Sequence, residues 1–219
     1  MPWEETEEKK KKYDMSTADR VSEAGLAYNI RPKQQGKFTI DDYYALPDER
    51  RVELIDGVIY DMAAPSEKHQ MILVELTVQL QNFIRKNNGK CRTFAAPFDV
   101  QLDKDNRTMV QPDVLVICDR SRTNSRGLFG APDLSIEILS PSTARKDASL
   151  KLKKYMNAGV REYWIVDPDD MLVTVHMKKG DKIETTLYSF DDQVPVGIWD
   201  NKCLIDFPDI KRQVEDWTK

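Results

Sequence analysis

A long amphipathic helix is the first element that the pattern of apolar and polar positions predicts. Apolar side chains recur three and four positions apart between Ser66 and Gly89, which is the spacing of one helix face. Ser66 is typical of an N-cap, and Gly89 is typical of the residue that ends a helix. The apolar positions of this period are Ile72, Leu73, Leu76, Leu80, Phe83 and Ile84.

Strands are predicted on both sides of this helix. Upstream, two short β-rich runs within 51–62 flank Asp56 and Gly57, a pair that favours a tight hairpin turn. Downstream, turn-forming residues separate three β-rich segments, which are 91–102, 109–119 and 133–140. The helix is therefore expected to connect a hairpin to a run of three strands.

A second helix and more strands follow. Ser142 or Thr143 is the predicted cap of a helix that reaches Asn157, and Gly159 is its predicted stop. The remaining predicted strands are one at 162–167 and two around Lys179, Gly180 and Asp181. The element order is thus a hairpin, then α-β-β-β-α-β, then further strands.

This order predicts an α/β fold in which helices flank a mixed β-sheet, because a strand, helix, strand passage normally joins parallel strands of one sheet. The hairpin is N-terminal to this core, and extra strands are C-terminal to it. Residues 1–36 are polar and mixed in charge, with no apolar period, and are expected to be a mobile extension. Residues 37–219 are expected to form a single domain.

Composition excludes several classes of protein. Apolar runs such as 114–118 are far shorter than the roughly 20 residues that cross a bilayer. The first residues lack the pattern of a secretory signal, so a cytoplasmic protein is expected. Three cysteines, Cys91, Cys118 and Cys203, match neither a disulfide framework nor a zinc site. With only two histidines in the chain, any metal is expected to have oxygen ligands.

Two acidic residues occupy positions where a sheet should be apolar. Glu137 lies within Leu-Ser-Ile-Glu-Ile-Leu, and an ionised carboxylate costs several kcal/mol to bury without a partner. An edge strand with one wet face is the alternative explanation. Asp113 follows Pro112 at the start of another apolar strand, 24 residues before Glu137. If the two strands are neighbours, both carboxylates converge and suit a divalent cation such as Mg²⁺.

Positive charge is concentrated in 145–161, which has six basic side chains against one acidic residue, Asp147. Because the whole chain has a net charge of −4, this segment is the expected binding site for a phosphate backbone. Lys151 lies two turns into the second helix, from where it can lean over the carboxylates. The alternative is an ion pair between Asp147 and Lys151 at the i,i+4 spacing.

These motifs together resemble the Uma-two family of restriction-endonuclease-like proteins. The motifs that carry the resemblance are Gln-Pro-Asp-Val at 111–114, Ala-Pro-Asp-Leu-Ser-Ile-Glu-Ile-Leu-Ser-Pro-Ser at 131–142, Asp147 with Lys151 and Tyr155, and Ala-Gly-Val-Arg-Glu-Tyr-Trp-Ile-Val-Asp-Pro at 158–168. Further similarity is found at 53–57 and at His69. That family belongs to the PD-(D/E)XK nuclease superfamily, whose restriction-endonuclease-like α-β-β-β-α-β core has the element order predicted above.

The resemblance implies roles for particular residues. Asp113 and Glu137 are the implied metal ligands, and the backbone carbonyl of Ile138 is a third oxygen. The superfamily lysine normally follows the glutamate by two residues, but that position is Leu139 here, so the resemblance assigns its role to Lys151. Glu53 is either an outer metal ligand or part of a hairpin salt bridge. His69, beside apolar neighbours on a helix, is expected to be a packing residue.

Metal-dependent hydrolysis of DNA phosphodiester bonds is the function that these residues imply. Asp113, Glu137 and Lys151 are the expected catalytic residues, with Mg²⁺ or Mn²⁺ as the cofactor. DNA is the expected partner, a membrane is not, and a homodimer is the expectation for an enzyme that cuts both strands. The alternatives are an inactive nuclease-like module that binds nucleic acid or a protein partner, and a purely structural subunit.

Overall fold

The structure is a computed structural model, which describes residues 34–47, 49–140 and 146–217, with the side chains of 146–149 left out. Most of the predicted extension, residues 1–33, lies outside these ranges, as do the predicted caps Ser142 and Thr143. The α-helices are α1 (Ile40–Tyr44), α2 (Glu67–Lys86), α3 (Lys146–Ala158) and α4 (Phe207–Trp217).

Most strands are short and follow the predicted β-rich segments. They are β1 (Val52–Ile55), β2 (Val58–Asp61), β3 (Arg92–Ala95), β4 (Val100–Gln101), β5 (Val114–Ile117), β6 (Thr123–Asn124), β7 (Gly127–Phe129), β8 (Leu134–Ile138), β9 (Glu162–Asp167), β10 (Leu172–Lys179), β11 (Lys182–Ser189), β12 (Gln193–Val196) and β13 (Cys203–Asp206).

A six-stranded mixed sheet in the order β11-β10-β9-β8-β5-β3 supports the helices. Strands β8 and β9 are parallel neighbours, and the other pairs in this sheet are antiparallel. Helix α3 lies between β8 and β9 in the chain, as a crossover between parallel strands requires. The α/β class, the mixed sheet and the α-β-β-β-α-β order are therefore confirmed.

The two faces of the sheet bury different side chains, because neighbouring residues of a strand point in opposite directions. Helices α2 and α4 pack on one face, where Leu76 and Phe207 meet Ile136 and Trp164. Helix α3 packs on the other face, where Tyr155 lies among the second set of buried apolar residues. A charged side chain on the α3 face of the sheet therefore has its neighbours in α3 and in the hairpin.

The N-terminal hairpin of β1 and β2 covers part of the α3 side. Asp56 and Gly57 form its turn, both with a positive φ, and Leu54 is fully buried. The backbone of Leu54 also pairs with that of Met109, which holds the hairpin against the segment that leads into β5. Residue 53 is thereby held beside the central sheet.

Helix α4 contradicts the prediction that only strands form the C-terminal region. Pro208 would disrupt a strand. It lies instead in the first turn of α4, where a missing backbone N–H is tolerated. Asp206 Oδ1 accepts a hydrogen bond from the backbone N–H of Asp209, 3.1 Å away, and so caps the helix. Phe207, Ile210 and Val214 are its buried face.

The cysteine prediction is also wrong, because Cys91 and Cys118 form a disulfide. They are 27 residues apart in sequence, but antiparallel β3 and β5 bring them together one position beyond the last paired residues, Arg92 and Ile117. A pairing that depends on strand register cannot be read from cysteine spacing alone. Cys203 is a buried free thiol.

None of the helices in the described ranges combines the length and the apolarity that crossing a membrane requires.

Candidate active site

The predicted site residues meet in one cleft of about 450 Å³ between the hairpin, α2, α3 and the central sheet. Its lining includes Glu53, Asp113, Glu137, Ile138 and Lys151. These residues come from β1, the start of β5, β8 and α3, so that the cleft is assembled from segments up to 98 positions apart. Leu139, at the usual lysine position of the superfamily, also lines it.

Strand register brings Asp113 and Glu137 to the same end of the sheet. Val114 of β5 is paired with Ile136 of β8, so Asp113 and Glu137 each lie one residue beyond this pair. Asp113 Oδ2 accepts a hydrogen bond of 2.8 Å from the backbone N–H of Ile138. Glu137 is buried, which excludes the alternative of an edge strand with a wet face.

Glu137 has two side-chain partners from α3. Tyr155 donates its hydroxyl to Glu137 Oε1 at 2.7 Å, and Lys151 Nζ lies 3.2 Å from the same oxygen. Burial raises the pKa of Glu137 to about 7; Lys151 opposes this rise, and the charges of Glu53 and Asp113 add to it. Glu137 therefore stays protonated to a higher pH than an exposed glutamate would, chiefly because it is buried.

Lys151 is the central cation of the cleft. Its Nζ lies 2.8 Å from Glu53 Oε2 in addition to its contact with Glu137. Burial lowers the pKa of Lys151, but the charges of Glu137 and Glu53 outweigh it and raise the pKa above its ordinary value. The side chain is therefore an ammonium ion.

The position of Lys151 bears on the hairpin salt bridge that the sequence left open for Glu53. Glu53 is paired with Lys151 of α3, so its salt bridge does not lie within the hairpin. The other oxygen of Glu53 accepts the backbone N–H of Gln111 at 3.0 Å, which links the hairpin to the segment preceding Asp113. The side chain of Asp147, the other candidate partner of Lys151, lies outside the described residues.

Three of the four basic side chains that the structure describes in 145–161 are paired with carboxylates. Lys151 is buried between two glutamates, Lys154 is paired with Asp56 and Asp103, and Arg161 lies 3.1 Å from Asp133. Lys153 is exposed, while Arg145 and the side chain of Lys146 lie outside the described residues. Among the described side chains, the sum of charges along the sequence therefore overstates the positive charge that is free to bind a phosphate backbone.

The chemistry of the cleft fits a hard divalent cation. Three carboxylates, from Glu53, Asp113 and Glu137, share it with the ammonium of Lys151, and carboxylate oxygens are the preferred ligands of Mg²⁺. Burial is the main cause of the raised pKa of Glu137, and a bound cation would favour its ionised form. Asp113 and Glu137 are the residues placed to hold such an ion.

A second acidic group lies outside the cleft. Asp56, Asp103 and Asp105 have oxygens within 4.8 Å of one another. Lys154 Nζ contacts Asp56 and lies 2.8 Å from Asp103, so an ammonium group already serves as the cation there. We therefore regard the cleft, and not this group, as the candidate metal centre.

Three residues in or beside the cleft were absent from the site derived from sequence. Tyr155 belongs to the motif with Asp147 and Lys151, but the sequence analysis gave it no role. Its position one turn after Lys151 on α3 could have indicated that it lies near the site. Tyr163 of β9 lines the cleft and stacks on Tyr155. His69, expected to be a packing residue, has its Nε2 3.2 Å from Asp113 Oδ2.

Comparisons with known proteins agree with this architecture. The model of the Uma2 family, described as "Putative restriction endonuclease", matches residues 40–197. The uncharacterised protein slr1290 of Synechocystis sp. is 28% identical over 148 residues, which cover 66% of this chain and 76% of the relative. A crystal structure of "a putative nuclease belonging to DUF820" from Anabaena variabilis superposes with a TM-score of 0.66 at 24% identity, covering 81% of this chain and 99% of that one.

Proposed function

The chain belongs to the Uma2 family, and on that premise we propose that it is a metal-dependent endonuclease that hydrolyses DNA phosphodiester bonds. The observation that carries the proposal is the contact of Lys151 with Glu137 and Glu53 in the cleft that Asp113 also lines. This arrangement supplies carboxylates for a cation and an ammonium group for a phosphate in one place. A nuclease needs both, and the substrate class follows from the family.

Each residue of the site has a separate role in the proposed reaction. Asp113 and Glu137 would hold Mg²⁺ or Mn²⁺, with the carbonyl of Ile138 as the proposed third oxygen and Glu53 as an outer ligand. The cation would supply Lewis-acid stabilisation of the charge that develops on the scissile phosphate. Lys151 adds a fixed positive charge to the same region, and Tyr155 orients Glu137 through its hydroxyl.

Position explains how Lys151 can replace the usual lysine. In the superfamily pattern that lysine projects from the strand two residues after the glutamate, where this chain has Leu139. Here α3 delivers the ammonium from above the sheet to within 3.2 Å of Glu137. The role depends on where the charge is placed and not on which element carries it, so Leu139 is compatible with activity.

Plasmid cleavage in Mg²⁺ or Mn²⁺ tests the proposal. Asp113→Ala, Glu137→Gln and Lys151→Ala should each lower the cleavage rate by about 100-fold or more, because each removes a group that acts on the reacting phosphate. Lys153→Ala is the matched control for Lys151→Ala, since Lys153 is an exposed lysine of the same helix. Its rate should stay within about threefold of the parent.

Equal cleavage by the parent and the three site variants would reject the assignment. Absence of cleavage by the parent, combined with DNA binding that Asp113→Ala leaves intact, would favour the inactive nucleic-acid-binding module. Calorimetry with Mn²⁺ separates these functions further, because the proposed nuclease must bind the ion in a manner that depends on Asp113.

A further inference from the structure

His69 is a buried polar residue that the proposed chemistry leaves without a role. It lies in the first turn of α2, where its backbone N–H donates to the capping side chain of Ser66 at 3.2 Å. Its residue exposure is 6% of the maximum, and its ring lines the cleft. The side chain is thus fixed at the wall of the site by a capped helix of 20 residues.

One ring nitrogen of His69 faces Asp113. His69 Nε2 lies 3.2 Å from Asp113 Oδ2, which is within reach of a hydrogen bond. The backbone N–H of Ile138 donates to the same Oδ2 at 2.8 Å. If His69 Nε2 also donates to Oδ2, the two donors fix the plane of the carboxylate and leave Oδ1 as the oxygen available to a cation.

The other ring nitrogen indicates that packing is not the reason for a histidine here. Within the described ranges, His69 Nδ1 is buried and has no hydrogen-bond partner. Burying an unpaired polar atom is unfavourable, and an apolar side chain would fill the same space without that cost. The function of the ring must therefore come from Nε2, the nitrogen beside Asp113.

We propose that His69 is a positioning residue, which donates a hydrogen bond from Nε2 to Asp113 and orients that carboxylate toward the metal. The inference rests on the proposed function only in that Asp113 binds a divalent cation. Partners of metal-binding groups commonly fix the orientation of the ligand in this way, and their loss weakens metal binding by about 10- to 100-fold.

The hydrogen bond is tested first on the parent protein without metal. Long-range ¹⁵N–¹H correlation spectra at pH 8 report which nitrogen of each neutral imidazole carries the proton. The chain has two histidines, and His176→Leu identifies the second signal. We expect His69 to be protonated on Nε2 and its Nε2 signal to move in Asp113→Ala. A proton on Nδ1 of His69 would overturn the proposal.

Mn²⁺ affinity, measured by calorimetry, tests the consequence. His69→Leu should weaken binding by about 10- to 100-fold, since it keeps bulk but has no donor. His69→Gln should stay within about threefold of the parent, because its amide nitrogen occupies nearly the place of Nε2. His176→Leu is the matched control: His176 is 7% exposed, bonds Thr185 Oγ1 at 2.9 Å and does not line the cleft.

The outcomes separate this proposal from the proposed function. Weaker binding in His69→Leu that His69→Gln restores, in a parent that binds Mn²⁺ but does not cleave DNA, would contradict the nuclease and support the role of His69. Parent-like Mn²⁺ affinity in His69→Leu, or an equal loss in His176→Leu, would overturn the role of His69. A parent that binds no Mn²⁺ would overturn both.

Discussion

At the scale of single residues, Glu137 is a buried carboxyl group whose burial opposes its ionisation. Its pKa is raised from 4.5 to about 7, so the folded protein binds this proton more tightly than the unfolded chain does. Ionising the group therefore destabilises the fold, and its unfavourable contribution grows as the pH rises from about 4.5 through 7.

Glu137→Gln should accordingly be more stable than the parent at pH 8, by about 1–3 kcal/mol, and equal to it near pH 4.5. Urea unfolding at the two pH values measures the difference. A stability difference between Glu137→Gln and the parent that is the same at both pH values would contradict the assignment.

A second prediction at this scale concerns Lys151. Its ammonium lies within 3.2 Å of two carboxylates and would repel a cation bound beside them. Lys151→Met should therefore bind Mn²⁺ more tightly than the parent, by roughly 10-fold at pH 8.5, while its DNA cleavage falls. The pH of 8.5 keeps Glu137 ionised even when the ammonium group of Lys151 is absent. Weaker Mn²⁺ binding in Lys151→Met would show that the lysine supports the metal site.

Glu137 and Glu162 also show what can be predicted from the sequence about a single buried residue. Glu137 and Glu162 both occur in apolar strands, and a buried carboxylate always requires partners. The partners of Glu162 are Trp164 Nε1 and a backbone turn 35 residues later, so this carboxylate links β9 to that turn and has a structural role. Only the fold distinguishes these partners from the lysine and tyrosine that surround Glu137.

At the scale of elements, helix α2 was predictable because its apolar period is long, and the order of elements along the chain was predictable because turn-forming residues separate the β-rich segments. Helix α4 was not, because three buried positions and an early proline resemble the end of a strand. The predicted strand at 91–102 is divided into β3 and β4, with Pro97 between them. Such interruptions depend on which neighbour each backbone group meets, and this is decided by tertiary structure.

The hairpin offers an element-scale prediction with its own control. Gly57 has φ of +79°, and a Cβ atom there would lie 2.8 Å from the carbonyl oxygen of Gly36. Gly180, in the β10–β11 turn, has φ of +60° with nothing within 4 Å of that position. Gly57→Ala should lower the free energy of unfolding by more than about 2 kcal/mol, and Gly180→Ala by only about 1 kcal/mol.

Thermal melting of the two glycine variants measures the difference, and equal losses would contradict the crowding at Gly57. Because Glu53 belongs to the same hairpin, Gly57→Ala should also weaken Mn²⁺ binding, whereas Gly180→Ala should not.

At the scale of the whole molecule, the disulfide restricts the unfolded chain. Cys91 and Cys118 close a loop of 27 residues, which corresponds to roughly 3.5 kcal/mol of stability from chain entropy. Reductant should therefore lower the melting temperature of the parent and of Cys203→Ala, but not that of Cys91→Ser/Cys118→Ser. Thiol titration under denaturing, non-reducing conditions should find one thiol per chain. Three reactive thiols would contradict the pairing.

The site draws on the whole fold as well. Glu53, Asp113, Glu137 and Lys151 come from a hairpin, two sheet strands and a helix, and sequence analysis found all four through their unusual settings and a family resemblance. The sequence predicted that Asp113 and Glu137 converge beneath Lys151, but not every contact among the four, since these depend on where the hairpin and α3 pack on the sheet. The Lys151–Glu53 contact is the clearest example.

That contact has a consequence for how the protein matures. Lys151 is an internal counter-ion that neutralises part of the acidic cleft, so we expect the chain to fold without a bound metal ion. Zinc fingers, by contrast, unfold when a chelator removes their ion. If the proposed function holds, a nuclease built in this way would fold first and bind its metal ion afterwards.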